Sequence, residues 1–380
     1  MPDSIGAGSI CFYDNDIYLS TGNGVYHSND NCESWEYIGL GQYPIWSIHI
    51  SQSGNLYAGA SSRIFRYAGN CQWDLLYTTE EASNILSIYE SDNGHIFFGN
   101  WGGIFRSTDG GINWTEVLDL YNTEVVNAIA ENSEGELFAG STSFSGDISP
   151  GGIYSSTDGG ATWQLTGLNY HFVSSVVINA NDEIFVGTRG HWTNGGGGVF
   201  KSVDNGNTWE TSYSNILVNA LTLNNYDEIA FSCPMESYPY GGVHLSVDGG
   251  DTWSNITGNL PGNYLNGVAY DNNSILYAIG LYGDLFRTET PVNISQHQFA
   301  QHDSFTVYPN PAKDKLNLII NKYNIEKIYI TDLSGKLIKN MRPLIGENGV
   351  EINISDLPPS VYLIHCKSDH NISTVKFIKF

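Results

Sequence analysis

The sequence predicts an all-β protein, a seven-bladed β-propeller followed by a small β-sandwich. Three observations predict this fold. The 42 glycines lie beside Asp, Asn and Ser in short clusters between strand-like runs, one segment recurs along the first 290 residues, and the composition changes after it. Such clusters supply the turns between many short strands. With 380 residues, 41% hydrophobic and 13% aromatic, the chain can fill one large and one small core.

The recurring segment sets the number of blades. Six copies align: GVYHSNDNCESW (24–35), RIFRYAGNCQW (63–73), GIFRSTDGGINW (103–114), GIYSSTDGGATW (152–163), GVFKSVDNGNTW (198–209) and GVHLSVDGGDTW (242–253). A seventh copy, DLFRTET (284–290), keeps only the strand. The starts are 39, 40, 49, 46, 44 and 42 residues apart, which is the length of a four-stranded propeller blade.

The pattern within one repeat predicts its strands and turns. In the second repeat WSIHI, NLYAGA, RIFRYA and WDLLY are four short strands in order, and the S-x-D-x-G-x-T-W turn of other repeats joins the last two. Its Asp accepts hydrogen bonds from the turn, its Gly supplies a positive φ, and its Trp packs between blades. We therefore expect that replacing one of these aspartates lowers the stability of the protein and leaves its activity unchanged. The four positions are Asp109, Asp158, Asp204 and Asp248.

These turns resemble the Asp-box, or bacterial neuraminidase repeat, propellers. That superfamily includes sialidases, xyloglucan-cleaving glycosidases, sortilin-type receptors and photosystem II assembly factors. The resemblance covers residues 1–290, where five repeats keep both the Asp and the Trp. It implies the fold and not the activity, because the boxes are structural and lie on the face opposite the usual ligand site.

The chain after the repeats reads as a separate domain. Residues 291–304 (PVNISQHQFAQHDS) have no strand pattern and are expected to be a linker. Residues 305–380 contain TVYPNPAKDKLNLII, KIYITDLSGKLIK, VEINISDLPPSVYLIHC and STVKFIKF, alternating apolar strands with turns between them. They resemble the type A sorting domain of the type IX secretion system, with Ser360 where that family usually places Gly. The resemblance implies a Bacteroidota-type host, the secretion machinery as a partner, and a secreted or outer-membrane surface location.

The ends and the hydropathy of the chain fit an exported protein. No apolar run reaches the ~18 residues of a membrane span. The first residues, MPDSIGAGSI, lack the basic and apolar regions of a signal peptide. Because the tail implies export, we expect a leader peptide to have been removed.

Charge excludes two classes of partner. Residues 301–380 hold ten Lys/Arg and eight Asp/Glu, which leaves six and 32 of the totals of 16 and 40 for residues 1–300. The predicted propeller is therefore near −26 and the tail near +2. Nucleic acid and anionic lipid attract proteins through Lys and Arg, so we expect neither as a partner.

Cofactor and metal sites are not predicted. The chain has no CxxC pair and no histidine at zinc spacing from its five cysteines, Cys11, Cys32, Cys71, Cys233 and Cys366. The run GGGGVFKS (195–202) fails as a phosphate-binding loop, since Phe200 stands where a glycine must precede the lysine. We expect no cofactor, no structural zinc, and thiols that are free or buried.

A ligand is expected on the face that carries the loops from strand 2 to strand 3. Most of these loops are tight, but three consecutive repeats carry long ones, at 141–152, 188–198 and 232–242. Aromatic residues there suit sugar rings, whose C–H faces pack on aromatic rings, although they could equally pack the loops together. The predicted substrate-binding residues, with two further tyrosines nearby, are Trp101, Tyr170, His171, Arg189, His191, Trp192, Tyr238, Tyr240, Tyr264 and Tyr282.

Cleavage of a glycosidic bond would need two carboxylates on that face. Glu236, within MESYPY, is the first candidate for a catalytic residue and Asp147 the second. Glu80, Glu81 and Glu124 are further candidates, and each single carboxylate could equally be a solvated loop residue.

Three functions remain to be weighed. A sialidase of the superfamily uses three arginines, but Arg66, Arg106 and Arg287 lie beside the turns at the opposite end, which leaves Arg189 and Arg63. That function is excluded. A hydrolase of neutral glycans stays open, although the xyloglucan-cleaving enzymes use a cleft between two propellers. A non-catalytic carbohydrate- or protein-binding adhesion module also stays open.

Overall fold

The structure of the chain is a computed structural model that divides into two compact units, Met1–Pro291 and Val292–Phe380. In the first unit it describes residues 7–80, 83–143, 151–191, 196–234, 241–257, 265–280 and 284–288. In the second it describes residues 305–308, 313, 315–320, 325–332, 336–341, 349–358, 360–368 and 372–379.

The first unit is built from antiparallel sheets in which consecutive strands are neighbours. Blade 1 contains β1 (Ala7–Tyr13), β2 (Asp16–Thr21), β3 (Gly24–Ser28) and β4 (Glu36–Gly39). Blade 2 contains β5 (Ile45–Ile50), β6 (Leu56–Ala60), β7 (Arg63–Gly69) and β8 (Gln72–Thr78). Blade 3 contains β9 (Ser87–Glu90), β10 (Ile96–Asn100), β11 (Gly103–Ser107) and β12 (Thr115–Asp119). Blade 4 contains β13 (Glu124–Glu131), β14 (Leu137–Ser143), β15 (Gly152–Ser156) and β16 (Gln164–Gly167).

The remaining blades follow the same order. Blade 5 contains β17 (His171–Ile178), β18 (Ile184–His191), β19 (Gly198–Ser202) and β20 (Glu210–Ser214). Blade 6 contains β21 (Ala220–Leu223), β22 (Ile229–Cys233), β23 (Gly242–Ser246) and β24 (Ser254–Asn255). Within the described residues, blade 7 contains three strands: β25 (Leu265–Tyr270), β26 (Leu276–Gly280) and β27 (Leu285–Arg287).

The blades close into a ring. The first strand of each blade contacts the first strand of the next, and β25 of blade 7 contacts β1 of blade 1. At this closure the rings of Phe12 and Tyr277 lie with their centroids 4.9 Å apart, and Leu19 of blade 1 packs with Ile279 of blade 7. The described part of the first unit thus has seven sheets around one axis, which confirms the predicted fold class.

The Ser-x-Asp turns between the third and fourth strands use the predicted hydrogen bonds. In blade 4, Asp158 accepts from the N–H groups of Ala161 and Thr162 at 2.9 Å each, and from the Thr162 and Ser156 hydroxyls. These hydrogen bonds hold the pKa of Asp158 below its usual range, and the bond from the Thr162 hydroxyl has the largest effect. The same pattern recurs at Asp30, Asp109, Asp204 and Asp248.

The tryptophan after each turn packs between blades, as predicted. Trp209 of blade 5 lies against a buried cluster that includes Phe138 of blade 4 and Ile184 of blade 5. Trp114 of blade 3 lies against a cluster containing Tyr57 of blade 2. Both of these inter-blade layers are therefore apolar cores with an indole ring packed against them.

Polar side chains tie the inner strands together. In five blades a side chain near the start of the inner strand donates to a backbone carbonyl of the next blade, and we call these contacts the inner-ring bonds. They join Ser47 to Ile85, Ser87 to Val126, Asn127 to Val173, Ser174 to Val218 and Asn219 to Leu265, at 2.7–3.2 Å. They satisfy carbonyls that the bulged inner strands would otherwise leave without a donor.

The second unit is the predicted β-sandwich. One sheet contains β28 (Phe305–Tyr308), β29 (Lys315–Ile320) and β32 (Gly349–Asn353). The other contains β30 (Ile325–Asp332), β31 (Leu337–Met341), β33 (Ser360–Ser368) and β34 (Ile372–Lys379). Buried residues of both sheets, including Leu316, Ile330 and Ile364, form one core.

Candidate functional site

The upper face of the propeller is the end where strand 2 leads to strand 3 and strand 4 leads to the next blade. The three long connections join β14 to β15, β18 to β19 and β22 to β23, so they belong to the upper ends of consecutive blades 4, 5 and 6. The opposite end carries the Ser-x-Asp turns. The long connections and the Ser-x-Asp turns therefore belong to opposite ends of the blades.

An open cavity of about 580 Å³ lies at this face, and we call it the upper cavity. Its walls come from the upper ends of blades 2 to 5. The lining residues are Trp46, Ser83, Asn84, Leu86, Trp101, Val125, Asn127, Thr142, Ser143, Phe172, Ser174 and Arg189. Aromatic rings, amides, hydroxyls and one guanidinium thus face the same space.

A second cavity of about 600 Å³ continues from it into the mouth of the central channel. It is lined by residues in or directly before the inner strand of every blade, among them Ser9, Asn219 and Asn266. The two cavities share five lining residues: Trp46, Leu86, Asn127, Ser174 and Arg189. They therefore form one continuous site, the channel-mouth site.

Two tryptophans present exposed rings in this site. Trp46 is 46% exposed and Trp101 is 43% exposed. Trp101 is held in place, because its backbone N–H donates to the Ser83 hydroxyl at 2.9 Å and its indole N–H donates to the Asn122 carbonyl at 3.0 Å. A ring that is both exposed and fixed is a ready surface for a flat apolar ligand face.

Arg189 is the cation of the channel-mouth site. It lies near the end of β18, is exposed, and lines both cavities. Among the described lining residues of the two cavities there is no Asp or Glu. The surrounding walls desolvate the guanidinium and lower its pKa, but an arginine remains protonated at neutral pH. The site therefore offers fixed positive charge and hydrogen-bond donors within an acidic propeller.

Three other arginines of the propeller have partners away from the channel-mouth site. Arg106 of β11 reaches the lower end and donates to the Gly159 carbonyl in the turn of blade 4 at 3.0 Å. Arg66 of β7 lies 3.9 Å from the Asp74 carboxylate. Arg63 stacks its guanidinium over the Tyr43 ring at 5.2 Å. None of the three lines the channel-mouth site, so the described residues offer no three-arginine clamp.

Two predicted binding residues lie on the upper face but outside these cavity walls. Tyr170 is 52% exposed, with a positive φ of 69° in the connection before β17. The His171 ring packs edge-on against Phe200, with 5.0 Å between centroids, and its Nδ1 lies 3.2 Å from the Leu168 carbonyl. His171 therefore supports its own blade.

Several predicted residues lie outside the described residues. For His191 the structure gives the backbone alone, which pairs with His171 in the sheet of blade 5. The remaining ones are the catalytic candidates Asp147 and Glu236, together with Glu81, Trp192, Tyr238, Tyr240, Tyr264 and Tyr282.

Two further carboxylate candidates do not line the channel-mouth site. Glu124 is fully buried at the start of β13, where it accepts hydrogen bonds from the Ser141 hydroxyl, the Gly151 N–H and the Tyr154 hydroxyl. It organises blade 4 and cannot reach a ligand. Glu80 is exposed but lines a separate cavity.

The sequence analysis missed the residues of the inner strands. Trp46, Asn127 and Phe172 lie in the first strands of blades 2, 4 and 5, and only ring closure brings these distant positions together. The signal available in the sequence was an aromatic or amide residue at the first positions of a strand that otherwise carries small and β-branched residues.

The tail gives the clearest comparison with known proteins. Residues 306–379 match the family model of the secretion system C-terminal sorting domain. The tail indicates a secreted protein or one at the cell surface. No helix among the described residues is long and apolar enough to cross a membrane. No curated protein matches the chain.

Solved structures match the propeller as a fold. PorZ, described as an essential bacterial surface component of the type-IX secretion system of Porphyromonas gingivalis, has 13% identity and a TM-score of 0.63, over 100% of this chain and 60% of its own. The GH74 xyloglucanase from Xanthomonas campestris has 13% identity and a TM-score of 0.64, over 92% and 58%. YCF48 bound to D1 peptide has 16% identity and a TM-score of 0.57, over 78% and 94%. The chain thus spans about three fifths of the first two proteins, and these identities establish similarity of fold alone.

Proposed function

We propose that the protein is a secreted or cell-surface glycan-binding propeller that holds sugar rings in the channel-mouth site. One observation carries the proposal: Trp46, Trp101 and Phe172 line the same cavity as the amides of Asn84 and Asn127. Sugar rings pack their C–H faces on aromatic rings, while amides bind their hydroxyls. The mixture of rings and amides fits such a ligand.

Size and location support the same function. The two adjoining cavities, about 580 and 600 Å³, each fall within the range of roughly 300–1,000 Å³ that is usual for ligand sites. The sorting tail, which we propose engages the secretion machinery through residues 305–380, would deliver this site to the surroundings of the cell, where glycans are available. PorZ, with a similar fold, is itself a bacterial surface component.

Hydrolysis of a neutral polysaccharide is the second candidate. The connection that contains Asp147 starts at Ser143, which lines the upper cavity, and the one that contains Glu236 follows β22 of blade 6. Two carboxylates on opposite sides of a bound sugar could act as general acid and base. The GH74 xyloglucanase, a similar fold, makes xyloglucan the first polysaccharide to try.

Recognition of a protein segment is the remaining alternative. YCF48 has a similar fold and has been seen with a bound peptide. Arg189 would take a carboxylate of such a peptide, and the tryptophans would pack on its side chains. A glycan remains the favoured ligand, because amides from several blades surround the channel mouth.

The test is polysaccharide pull-down and glycan-array screening combined with a reducing-sugar assay. Trp101→Ala should weaken glycan binding by about tenfold, because it removes one of two exposed rings. Tyr226→Ala is the matched control, since Tyr226 is 62% exposed in a turn of blade 6 at the lower end. Equal binding by the two variants, or no glycan bound by the parent protein, would refute the proposal. Release of reducing ends that Glu236→Gln abolishes would establish hydrolysis.

A further inference from the structure

A separate cavity of about 420 Å³ lies between the outer strand of blade 2 and blade 3, and we call it the side cavity. Ser83 and Trp101 form a wall that it shares with the upper cavity. The lining residues that matter for its chemistry are Tyr77, Glu80, Asn100, Phe105, Glu116 and Asp119. The proposed glycan site does not use these six residues.

The side cavity is strongly acidic. The carboxylates of Glu80, Glu116 and Asp119 line it, all three residues are exposed, and no Lys or Arg is among its described lining residues. The propeller segment around it holds 32 acidic and six basic residues. Carboxylates gathered in a concave site raise the local concentration of cations.

Asn100 distinguishes this cavity from the equivalent places in other blades. It is the last residue of β10 and faces Gly103 across the sheet. In blades 1 and 5 the same position holds Thr21 or Thr188, whose hydroxyl donates to the carbonyl of the facing glycine. Asn100 is 4% exposed, and its Oδ1 has no hydrogen-bond partner among the described residues.

An unpartnered buried amide oxygen costs free energy, so its presence calls for a reason. The Asn100 side chain lines the side cavity, and the two ends of an amide exchange by rotation about its last bond. That rotation would turn the oxygen toward the cavity, where a hydrogen-bond donor of a bound ligand would satisfy it. The three carboxylates beside it accept hydrogen bonds as well, so the matching ligand is a group rich in N–H or O–H donors.

Aromatic rings in the side cavity restrict the chemical class of its ligand further. Tyr77 and Phe105 line the cavity with their centroids 6.2 Å apart, and Trp101 lies beside them. Faces of aromatic rings attract organic cations. No group of three or more Asp, Glu, His or Cys side chains among the described residues is placed to hold a metal ion. Carboxylates that line one cavity without being placed as metal ligands, together with aromatic rings, suit an organic cation better than a metal ion.

We propose that the side cavity binds an ammonium or guanidinium group, presented by a lysine or arginine side chain of an extracellular protein or by a free polyamine. Glu80, Glu116 and Asp119 supply the charge, the Asn100 oxygen accepts one N–H, and the rings cover the cation. This site is distinct from the glycan site, and its ligand carries the opposite charge to one that Arg189 would attract.

The experiment is isothermal titration calorimetry of the whole chain with N-acetyl-arginine amide, N-acetyl-lysine amide and spermidine. N-acetyl-citrulline amide, which has no charge, is the matched ligand control. We expect the cationic probes to bind and citrulline to bind at least about tenfold more weakly. A preference for the amino-acid amides would identify a protein side chain as the source of the cation, and a preference for spermidine would identify a free polyamine.

The variants separate binding from folding. Asn100→Ser installs a hydroxyl like those of blades 1 and 5, so the melting temperature should stay the same or rise. The same variant should bind the cationic probes about tenfold more weakly. Glu116→Gln should weaken binding of the cationic probes to a similar extent. Glu210→Gln makes an equal charge change at an exposed position in β20 and should leave that binding unchanged. Equal binding of citrulline and arginine, unchanged binding in Asn100→Ser, or displacement of the probes by micromolar calcium would overturn the proposal. Glycan binding by Asn100→Ser should be unaffected.

Discussion

Carboxylates at equivalent places in the propeller have different neighbours from blade to blade. In blade 5, Glu183 pairs with Lys201, with 2.9 Å between Oε1 and Nζ. In blade 6, Glu228 takes the equivalent place in the turn before strand 2, but Leu245 stands where Lys201 would be. Glu228 is fully buried, its Oε1 has no partner among the described residues, and burial raises its pKa.

Glu228→Gln should therefore stabilise the propeller at neutral pH. A raised pKa means that the folded state prefers the protonated acid, so the contribution of Glu228 to stability is full below its unfolded pKa and is lost as pH rises through its folded pKa. The neutral amide avoids that loss, so Glu228→Gln should raise the free energy of unfolding by on the order of 1 kcal/mol at pH 7. Thermal unfolding at pH 7 and at about pH 4 measures it. A gain that grows toward acid pH would contradict this account.

Asp158→Ala should have the opposite pH dependence. The pKa of Asp158 is lowered by its hydrogen bonds, so its stabilising effect is present above the unfolded pKa and is lost as pH falls through the folded pKa. The variant should melt below the parent protein at pH 7, and the gap should close under strongly acid conditions. Glu134→Ala, an exposed acidic residue in a turn of the same blade, is the control. Equal melting losses in both variants would argue against a role for the turn.

At the scale of elements, the inner-ring bonds should hold neighbouring blades together. Asn219 of blade 6 donates to the Leu265 carbonyl of blade 7 at 2.7 Å. Asn219→Ala should lower the free energy of unfolding by about 1 kcal/mol, because it leaves a carbonyl without its donor. Asn272→Ala is the matched control, since Asn272 reaches Asp14 of blade 1 at 3.4 Å on the exposed surface. Urea unfolding compares the two, and an equal loss in both would refute the role of the inner ring.

The long upper loops should serve ligands and not stability. We predict that Trp192→Ala or Tyr240→Ala weakens glycan binding without lowering the melting temperature, whereas Asp158→Ala does the reverse. Both aromatic residues belong to the extended connections of blades 5 and 6, at the end opposite the Ser-x-Asp turns. Pull-down and thermal unfolding of the same three variants test this assignment. Similar melting losses in all three would remove it.

The repeat predicted the blades better than the site. Each Ser-x-Asp turn is local, so the residues that shape it, such as Ser156, Asp158 and Thr162, are adjacent in the sequence. The channel-mouth site is not local. Trp46 and Asn127 face one cavity because the ring has closed, and a single repeat does not reveal which inner-strand side chain turns inward at a bulge. Trp101, directly after β10, and Arg189, near the end of β18, were predicted because they lie where a second strand leads into the connection to the third.

The whole molecule combines two units of very different charge. The segment that contains the propeller carries 32 Asp/Glu against six Lys/Arg, while residues 301–380 carry eight against ten. Each unit has its own buried core, so each can unfold by its own transition. Repulsion among like charges destabilises a compact state, and salt reduces it. The two transitions should therefore respond differently to ionic strength.

We predict that the melting temperature of the propeller rises between 10 and about 150 mM sodium chloride, as the Debye length shortens from about 30 to about 8 Å. The near-neutral second unit should change little over the same range, because its opposite charges balance. Calorimetry of the whole chain resolves the transitions, and Asp158→Ala identifies the propeller by shifting one of them alone. Sucrose, which stabilises without screening charge, should raise both. A propeller transition that falls with salt, or a second-unit transition that rises as steeply, would mean that self-repulsion does not limit the stability of this acidic ring.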